Sequence, residues 1–131
     1  MSSATPSPLP DKDYAVYLRD MLDFCEQVIV YTTPVDLGGL LADRMRFDAT
    51  LRNLELIGIA AQRIPEEFRI QAPDIPWREI VGLRNRVAHT CVGLDGPTLW
   101  RVVAESVPRL RIELIALLSN LDSSAQGHAA P

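Results

Sequence analysis

Apolar residues recur every three or four positions through most of this chain, and this period constrains the fold more than any other feature. Since an α-helix has 3.6 residues per turn, the period predicts helices that each bury one face. A first helix is predicted from Asp11 or Asp13, either of which can cap it, to about Tyr31. Its stripe consists of Tyr14, Leu18, Met21, Cys25 and Val28.

The same period predicts a second long helix over about 42–62. Its apolar face contains Gly58, and a helical glycine costs about 1 kcal/mol relative to alanine. We therefore expect Gly58 to permit close approach of a neighbouring helix or of a second subunit. Residues 35–41 read as a linker or a short turn capped by Asp36, and 65–69 as a short extra helical turn.

A third helix is predicted from Trp77 to about His89, followed by a loop over 90–96. Asp95 can cap a fourth helix, whose apolar stripe runs to about residue 121. Pro108 lies inside that stripe, and a kink is expected because proline cannot donate the helical hydrogen bond. Neither an alternating strand pattern nor an internal repeat is visible. The sequence therefore predicts an all-α fold, an antiparallel four-helix bundle with a short extra helical turn.

The helices form one predicted domain, 11–122, between two ends that are poor in core-forming residues. Residues 1–10 and 123–131 are expected to be disordered. No apolar run reaches the ~20 residues of a membrane helix, and no signal-peptide pattern stands at the N-terminus. Cys25 and Cys91 form no metal-ligand cluster, and Cys25 reads as a small buried hydrophobe. We expect reduced cysteines and a cytoplasmic protein.

The charge of the chain narrows the possible partners. Its net charge of −4 argues against a broad, non-specific nucleic-acid binder, which would be basic. A local basic site is still compatible with this net charge. Nearly all the positive charge is arginine, and Lys12 is the only lysine. One interpretation of this usage is a codon or genome bias, and the other is that arginine suits bidentate phosphate contacts. Glycine-rich phosphate-binding loops are missing from the sequence.

The best candidates for catalytic residues stand together at 84–89, where two arginines and an asparagine precede a histidine. Asn85 and His89, four residues apart, share a helix face, whereas Arg84 is about 140° from His89. Histidine gives and takes protons near neutral pH, and arginine stabilises charge on phosphate. The set suits metal-independent RNA cleavage. His89 would act on the ribose 2′-hydroxyl or the leaving oxygen, Arg84 on the developing charge, and Asn85 would orient either.

A purely structural role is the rival interpretation. A histidine at a helix end commonly caps carbonyls or meets the negative end of the helix dipole. Arg84 and Arg86 would then be surface residues paired with Glu79 or with other acids. The only other histidine, His128, lies in the C-terminal end, where nothing would hold it for catalysis. No carboxylate cluster stands near the stretch, so neither a metal nor another cofactor is expected.

The stretch from Arg84 to His89 resembles the R-x4-H motif of the HEPN superfamily, and its surroundings resemble the HepT-like branch. The Pro76–Trp77 lead-in and residues 52–58 match that branch, and the resemblance covers about 13–121. It implies a bundle that dimerises so that two motifs share a cleft. It also implies a metal-independent endoribonuclease toxin of a bacterial type II or type VII-like toxin–antitoxin system. Its catalytic residues would be Arg84, Asn85 and His89, with Arg86 and Arg78 as RNA contacts.

The resemblance further implies a partner, an MntA-like minimal nucleotidyltransferase antitoxin. In that family the antitoxin can silence the toxin by transferring AMP to a tyrosine two residues after the motif histidine. Cys91 stands at that position here, so inhibition by complex formation is expected instead. Ile59 is a second departure, since the family often has glutamate there. Because the tyrosine is missing, the alternative is a catalytically weak or silent HEPN module that binds a nucleotidyltransferase or RNA.

Overall fold

The chain folds into helices joined by short connections. A computed structural model of the protein describes residues 11–88 and 95–129, with side chains over 14–87 and 95–123. Within those ranges no residue belongs to a strand, which confirms the predicted all-α fold. A π-helical segment, Val102–Ser106, joins the last two α-helices. The α-helices are α1 Asp11–Thr32, α2 Leu37–Ala42, α3 Arg44–Gln62, α4 Glu66–Gln71, α5 Trp77–Val81, α6 Leu83–Ala88, α7 Gly96–Arg101 and α8 Val107–Ala129.

The long helices α1 and α8 run antiparallel along one another. Arg19, early in α1, pairs with Asp122, late in α8, at an N–O distance of 3.7 Å. Glu26, later in α1, pairs with Arg111, early in α8, at 3.3 Å. All four side chains are substantially exposed, so these pairs record the direction of packing and contribute little stability.

Capping side chains define the connection from α1 to α3. Asp36 caps α2, as predicted, by accepting a hydrogen bond from the Gly39 amide at 2.8 Å. Asp43 caps α3 by accepting from the Arg46 amide at 3.1 Å, and this bond lowers the pKa of the Asp43 carboxyl. The Arg46 guanidinium donates to the Tyr31 carbonyl at 2.6 Å. The start of α3 therefore lies beside the end of α1, and the two helices pack antiparallel.

The core lies where α1, α3 and α8 meet. Cys25 is fully buried there, which confirms its interpretation as a small hydrophobe. Burial raises the pKa of the Cys25 thiol to about 12, so the free thiol keeps its proton near neutral pH. Each large side chain buried here stabilises the fold by about 1.5–3 kcal/mol. Among these fully buried side chains are Leu18, Met21, Val28, Leu54, Ile57 and Leu114.

The predicted third helix is not continuous. Gly82 separates α5 from α6, although its backbone stays in the right-handed helical region. The Gly82 amide donates to the Arg78 carbonyl, and the Arg86 amide donates to the Gly82 carbonyl, both at 3.1 Å. The direction of the chain is thus kept across the break. Its predicted end, His89, lies outside the described residues.

A π-helical segment stands just before Pro108, where the sequence predicts a kink. In that segment the Val107 amide bonds to the Val102 carbonyl, five residues back. Proline lacks an amide hydrogen and crowds the carbonyl four residues before it. A wider turn accommodates this crowding without ending the helix.

The C-terminal helix is longer than predicted. α8 continues to Ala129, whereas the sequence predicted that the last helix ends near residue 121. Extending a formed helix costs little, and no proline follows Pro108 until Pro131. The prediction of disorder over 1–10 lies outside the described residues. No helix in the described part of the chain is long and apolar enough to cross a membrane.

Candidate functional site

The short helices α5 and α6 carry four of the predicted site residues, and Gly58 of α3 sets the distance of these helices from the bundle. A Cβ atom at Gly58 would lie 3.0 Å from the Ile80 carbonyl oxygen and 3.2 Å from the Arg84 amide nitrogen. Those two atoms belong to the backbone, so a side chain at this position would push α5 and α6 outward. Gly58 therefore serves the close approach of a neighbouring helix, one of the two roles predicted for it.

Apolar anchors hold the inner sides of both helices. Trp77 of α5 is buried, and its indole Nε1 donates to the Ala72 carbonyl at 2.9 Å. Ile80 and Leu83 are buried against the core. Because these inner contacts occupy one side of each helix, the polar residues between them are directed towards solvent.

The structure places four predicted site residues on the outer surface of this pair of helices. Arg84, Asn85 and Arg86 lie on α6, Arg78 lies on α5, and all four side chains are exposed. Arg84 and Asn85 are successive residues, about 100° apart around the helix. Two further predicted residues, His89 and Cys91, lie outside the described residues. The observed site is therefore the arginine and asparagine portion of the predicted one.

A cavity of about 210 Å³ opens beside this surface, between α3, α5, α6 and the π-helical segment. Its wall is mainly apolar, and three polar residues also line it: Glu79, Arg86 and Ser106. The apolar wall includes Ile57, Ile80, Leu83, Val102, Val107 and Leu110. Arg86, a residue of the predicted motif, thus also lines this cavity.

The family model of HepT-like ribonucleases matches residues 21–117, most of the chain. The chain belongs to the HepT-like ribonuclease family. This confirms the resemblance to that branch of the HEPN superfamily. The match spans α3 to α7 completely, so it includes Arg84, Asn85 and the cavity wall.

Relatives of this HepT-like chain are found in archaea and bacteria. A Methanocaldococcus jannaschii protein named as a candidate RNase is 37% identical over 103 residues, 79% of this chain and 94% of the relative. "Probable ribonuclease HepT" of Thermococcus cleftensis is 35% identical over 95 residues, 72% of this chain and 86% of the relative. A Caldanaerobacter subterraneus protein, also named as a candidate RNase, is 29% identical over 102 residues, 78% of this chain and 91% of the relative. Among solved structures there was no significant match.

The exposed guanidinium groups of this HepT-like chain can bind phosphate oxygens without burying a charge. Arginine presents several donors in a planar fork, which suits a phosphodiester. Within the described side chains, no three histidine, cysteine, aspartate or glutamate residues are arranged to hold a metal ion. The exposed arginines on α6 are suited to binding anions and to stabilising negative charge.

Asp95, which follows the motif in sequence, caps α7 as predicted. Its side chain accepts a hydrogen bond from the Thr98 amide at 2.7 Å. Hydrogen bonds from the Thr98 side chain and amide hold the pKa of the Asp95 carboxyl below its usual range. The segment 89–94 thus joins two short helices, α6 and the capped α7.

The cavity and the position of Ser106 in its lining were not predicted from the sequence. Glu79 was predicted only as an ion-pair partner for the arginines. Ser106 stands 20 positions after Arg86, in a run of residues with no motif. Only the packing of the π-helical segment beside α5 and α6 brings these residues to one cavity, so no sequence signal could have found Ser106.

Proposed function

We propose that this member of a ribonuclease family is the cytoplasmic toxin of a bacterial type II or type VII-like toxin–antitoxin system. Its activity is metal-independent endonucleolytic cleavage of tRNA or mRNA. The main observation that supports this proposal is that Arg84 and Asn85 are exposed on a helix whose close packing against the bundle is permitted by Gly58. An exposed arginine and asparagine beside a titratable histidine in sequence match the needs of phosphodiester cleavage.

In the proposed mechanism, His89 takes the proton of the ribose 2′-hydroxyl or protonates the leaving 5′-oxygen. The 2′-oxygen attacks phosphorus, the bond to the 5′-oxygen breaks, and the products are a 2′,3′-cyclic phosphate and a 5′-hydroxyl. Arg84 stabilises the negative charge that develops on the phosphoryl oxygens. Asn85 orients one of these groups through its amide. Arg86 and Arg78, both exposed, bind neighbouring phosphates.

The proposed active form is a homodimer in which two motifs share one cleft. A single copy offers a small basic surface on a chain of net charge −4. A second copy doubles the guanidinium groups near the substrate. The molar mass in solution, measured by light scattering, is expected to be twice that of one chain, and a strictly monomeric active enzyme would contradict the dimer.

The test of cleavage compares wild type with His89→Ala on purified tRNA and on total RNA in excess EDTA. Wild type is expected to cut RNA, and His89→Ala is expected to lose the activity while keeping its helical circular dichroism. His128→Ala is the matched control, since it removes the other histidine of the chain. Equal cleavage by wild type and His89→Ala, or no cleavage by either, would contradict the proposal.

The proposed partner is an MntA-like nucleotidyltransferase antitoxin that inhibits by forming a complex. Cys91 stands where the family has the AMP-accepting tyrosine, and a thiol does not replace a phenol in that transfer. Cys91→Tyr is therefore expected to become an AMP acceptor, detected by the mass increase after incubation with ATP and the antitoxin. AMP transfer to the wild-type chain would contradict inhibition by complex formation alone.

A second candidate function is a catalytically silent HEPN module that binds a nucleotidyltransferase or RNA. The specific observation in its favour is again Cys91, because the missing tyrosine could also have contributed to RNA binding. Expression in a host without the antitoxin separates the two candidates. Growth arrest that His89→Ala relieves supports the toxin, whereas a stable complex without arrest supports the silent module.

A further inference from the structure

The cavity beside α6 has the size and lining of a site for one flat ring system. Its volume of about 210 Å³ is smaller than the roughly 300–1,000 Å³ of sites for drug-sized ligands. Three different elements provide apolar surface to it, through Ile80 of α5, Leu83 of α6 and Val102 of the π-helical segment. Such walls contact the two faces of a planar heterocycle without requiring polar partners.

The polar residues of the cavity match the edge of a nucleobase better than an apolar protein side chain. Glu79 supplies a carboxylate that accepts hydrogen bonds from exocyclic amino groups, and Ser106 supplies a hydroxyl that can donate or accept. An aliphatic or aromatic side chain of a partner protein would fill the apolar walls and leave these groups unused.

The cavity is also continuous with the proposed phosphate-binding surface. Arg86 lines it, and Arg84 stands two residues earlier on the same short helix. The lining also includes Val102 and Ser106, the ends of the π-helical segment, and such segments are frequent at functional sites. A nucleotide whose phosphate lies on α6 can therefore place its base in the cavity.

We propose that this cavity binds one unstacked base of the RNA, adjacent to the cleaved phosphate, and prefers bases that carry an amino group. Sequence-specific RNA recognition commonly uses such splayed bases, held by their faces and by hydrogen bonds at their edges. The proposal rests on the proposed function for the identity of the ligand as RNA. Glu79 and Ser106 determine which base enters, and Arg86 holds the phosphate beside it.

The test measures binding of short 2′-O-methyl RNA oligonucleotides, which the enzyme cannot cut, by fluorescence anisotropy. Ser106→Tyr fills the cavity mouth from an exposed position, and Ala104→Tyr adds the same ring at another exposed position of the same segment. Ser106→Tyr is expected to weaken binding about tenfold, as loss of one base contact does. Ala104→Tyr is expected to bind like wild type.

A second pair of variants reads out the base preference. Wild type is expected to bind oligo-U, whose base lacks an amino group, less tightly than oligomers of the other bases. Glu79→Ala removes the acceptor and should reduce this difference, whereas Glu105→Ala removes another exposed carboxylate, which does not line the cavity, and should keep the difference. Thermal unfolding of all four variants shows that each is folded.

The outcomes separate this proposal from the proposed function. Affinity that depends on Ser106 supports the cavity even if wild type cuts no RNA, in which case only the catalytic proposal fails. RNA cleavage with an affinity and base preference that are the same in wild type, Ser106→Tyr and Glu79→Ala would overturn the base site alone. Loss of nucleotidyltransferase binding in Ser106→Tyr, with RNA affinity unchanged, would assign the cavity to a protein side chain and also overturn it.

Discussion

The bundle of α1, α3 and α8 and the pair α5–α6 show opposite relations between burial and chemistry. The bundle helices are each 19 residues or longer and bury the centres of their apolar stripes. The two short helices have 5 and 6 residues, fewer than the ~12–15 that an isolated helix needs, and expose every predicted site residue that the structure describes. Stability therefore comes from one region, whereas the proposed chemistry belongs to the other, and the short helices depend on the bundle for their shape.

The largest expected effect tests the bundle. Leu114→Ala, at a fully buried position, should lower the free energy of unfolding by about 2–5 kcal/mol, because it removes buried methyl groups and leaves a cavity. Urea denaturation measures the loss. Ile112→Ala on the same helix is the control, and since Ile112 is 66% exposed it should have little effect. Equal losses of unfolding free energy in both variants would mean that burial in the bundle core does not determine the stability of the protein.

The next effect tests the site. Arg84→Ala should lower the rate of RNA cleavage by about 100- to 1,000-fold, the usual effect of losing one group that stabilises transition-state charge. The unfolding temperature should not change, because the Arg84 side chain is exposed. Arg44→Ala removes another exposed arginine, on α3, and should change neither quantity. A fall in unfolding temperature with Arg84→Ala would contradict the conclusion that the stability of the fold does not depend on the site residues.

Gly58→Ala should affect both regions, since Gly58 is where they touch. Its methyl group would approach two backbone atoms at 3.0 and 3.2 Å, so α5 and α6 must shift. We expect a loss of about 1–3 kcal/mol in unfolding free energy, as in overpacked cores, and slower RNA cleavage at temperatures where the variant is folded. Gly38→Ala is the control, because its methyl group meets only the Asp36 carboxylate at 3.6 Å. Normal cleavage by Gly58→Ala would show that the site tolerates a displaced α6.

The effect that is smallest near neutral pH is the pH dependence contributed by Cys25. Burial raises its pKa from 9.0 to about 12, so the folded chain holds a proton that the unfolded chain loses. The contribution is fully present below pH 9 and is lost as the pH rises towards 12, by about 1.4 kcal/mol per pH unit. Cys25→Ala should therefore show a shallower decline of unfolding free energy above pH 9 than wild type. Parallel declines would contradict the burial of a titrating thiol.

Much of the bundle could be predicted because its determinants are local in sequence. The period of apolar residues indicated α1 and α3, and the caps at Asp36 and Asp95 were identified correctly. The break at Gly82 and the extension of α8 to Ala129 were not predicted. Glycine within a helical pattern costs about 1 kcal/mol, which is too little to decide by itself whether the helix continues.

The sequence by itself determined the all-α fold, the family and the residue types at 84–89. Periodicity, capping and a motif are all properties of neighbours along the chain. Only the tertiary structure decided that Gly58 of α3 faces the backbone at Ile80 and Arg84, and that Ser106 shares a cavity with Arg86. These relations join residues about 20 or more positions apart. They depend on how helices pack, which no local pattern encodes.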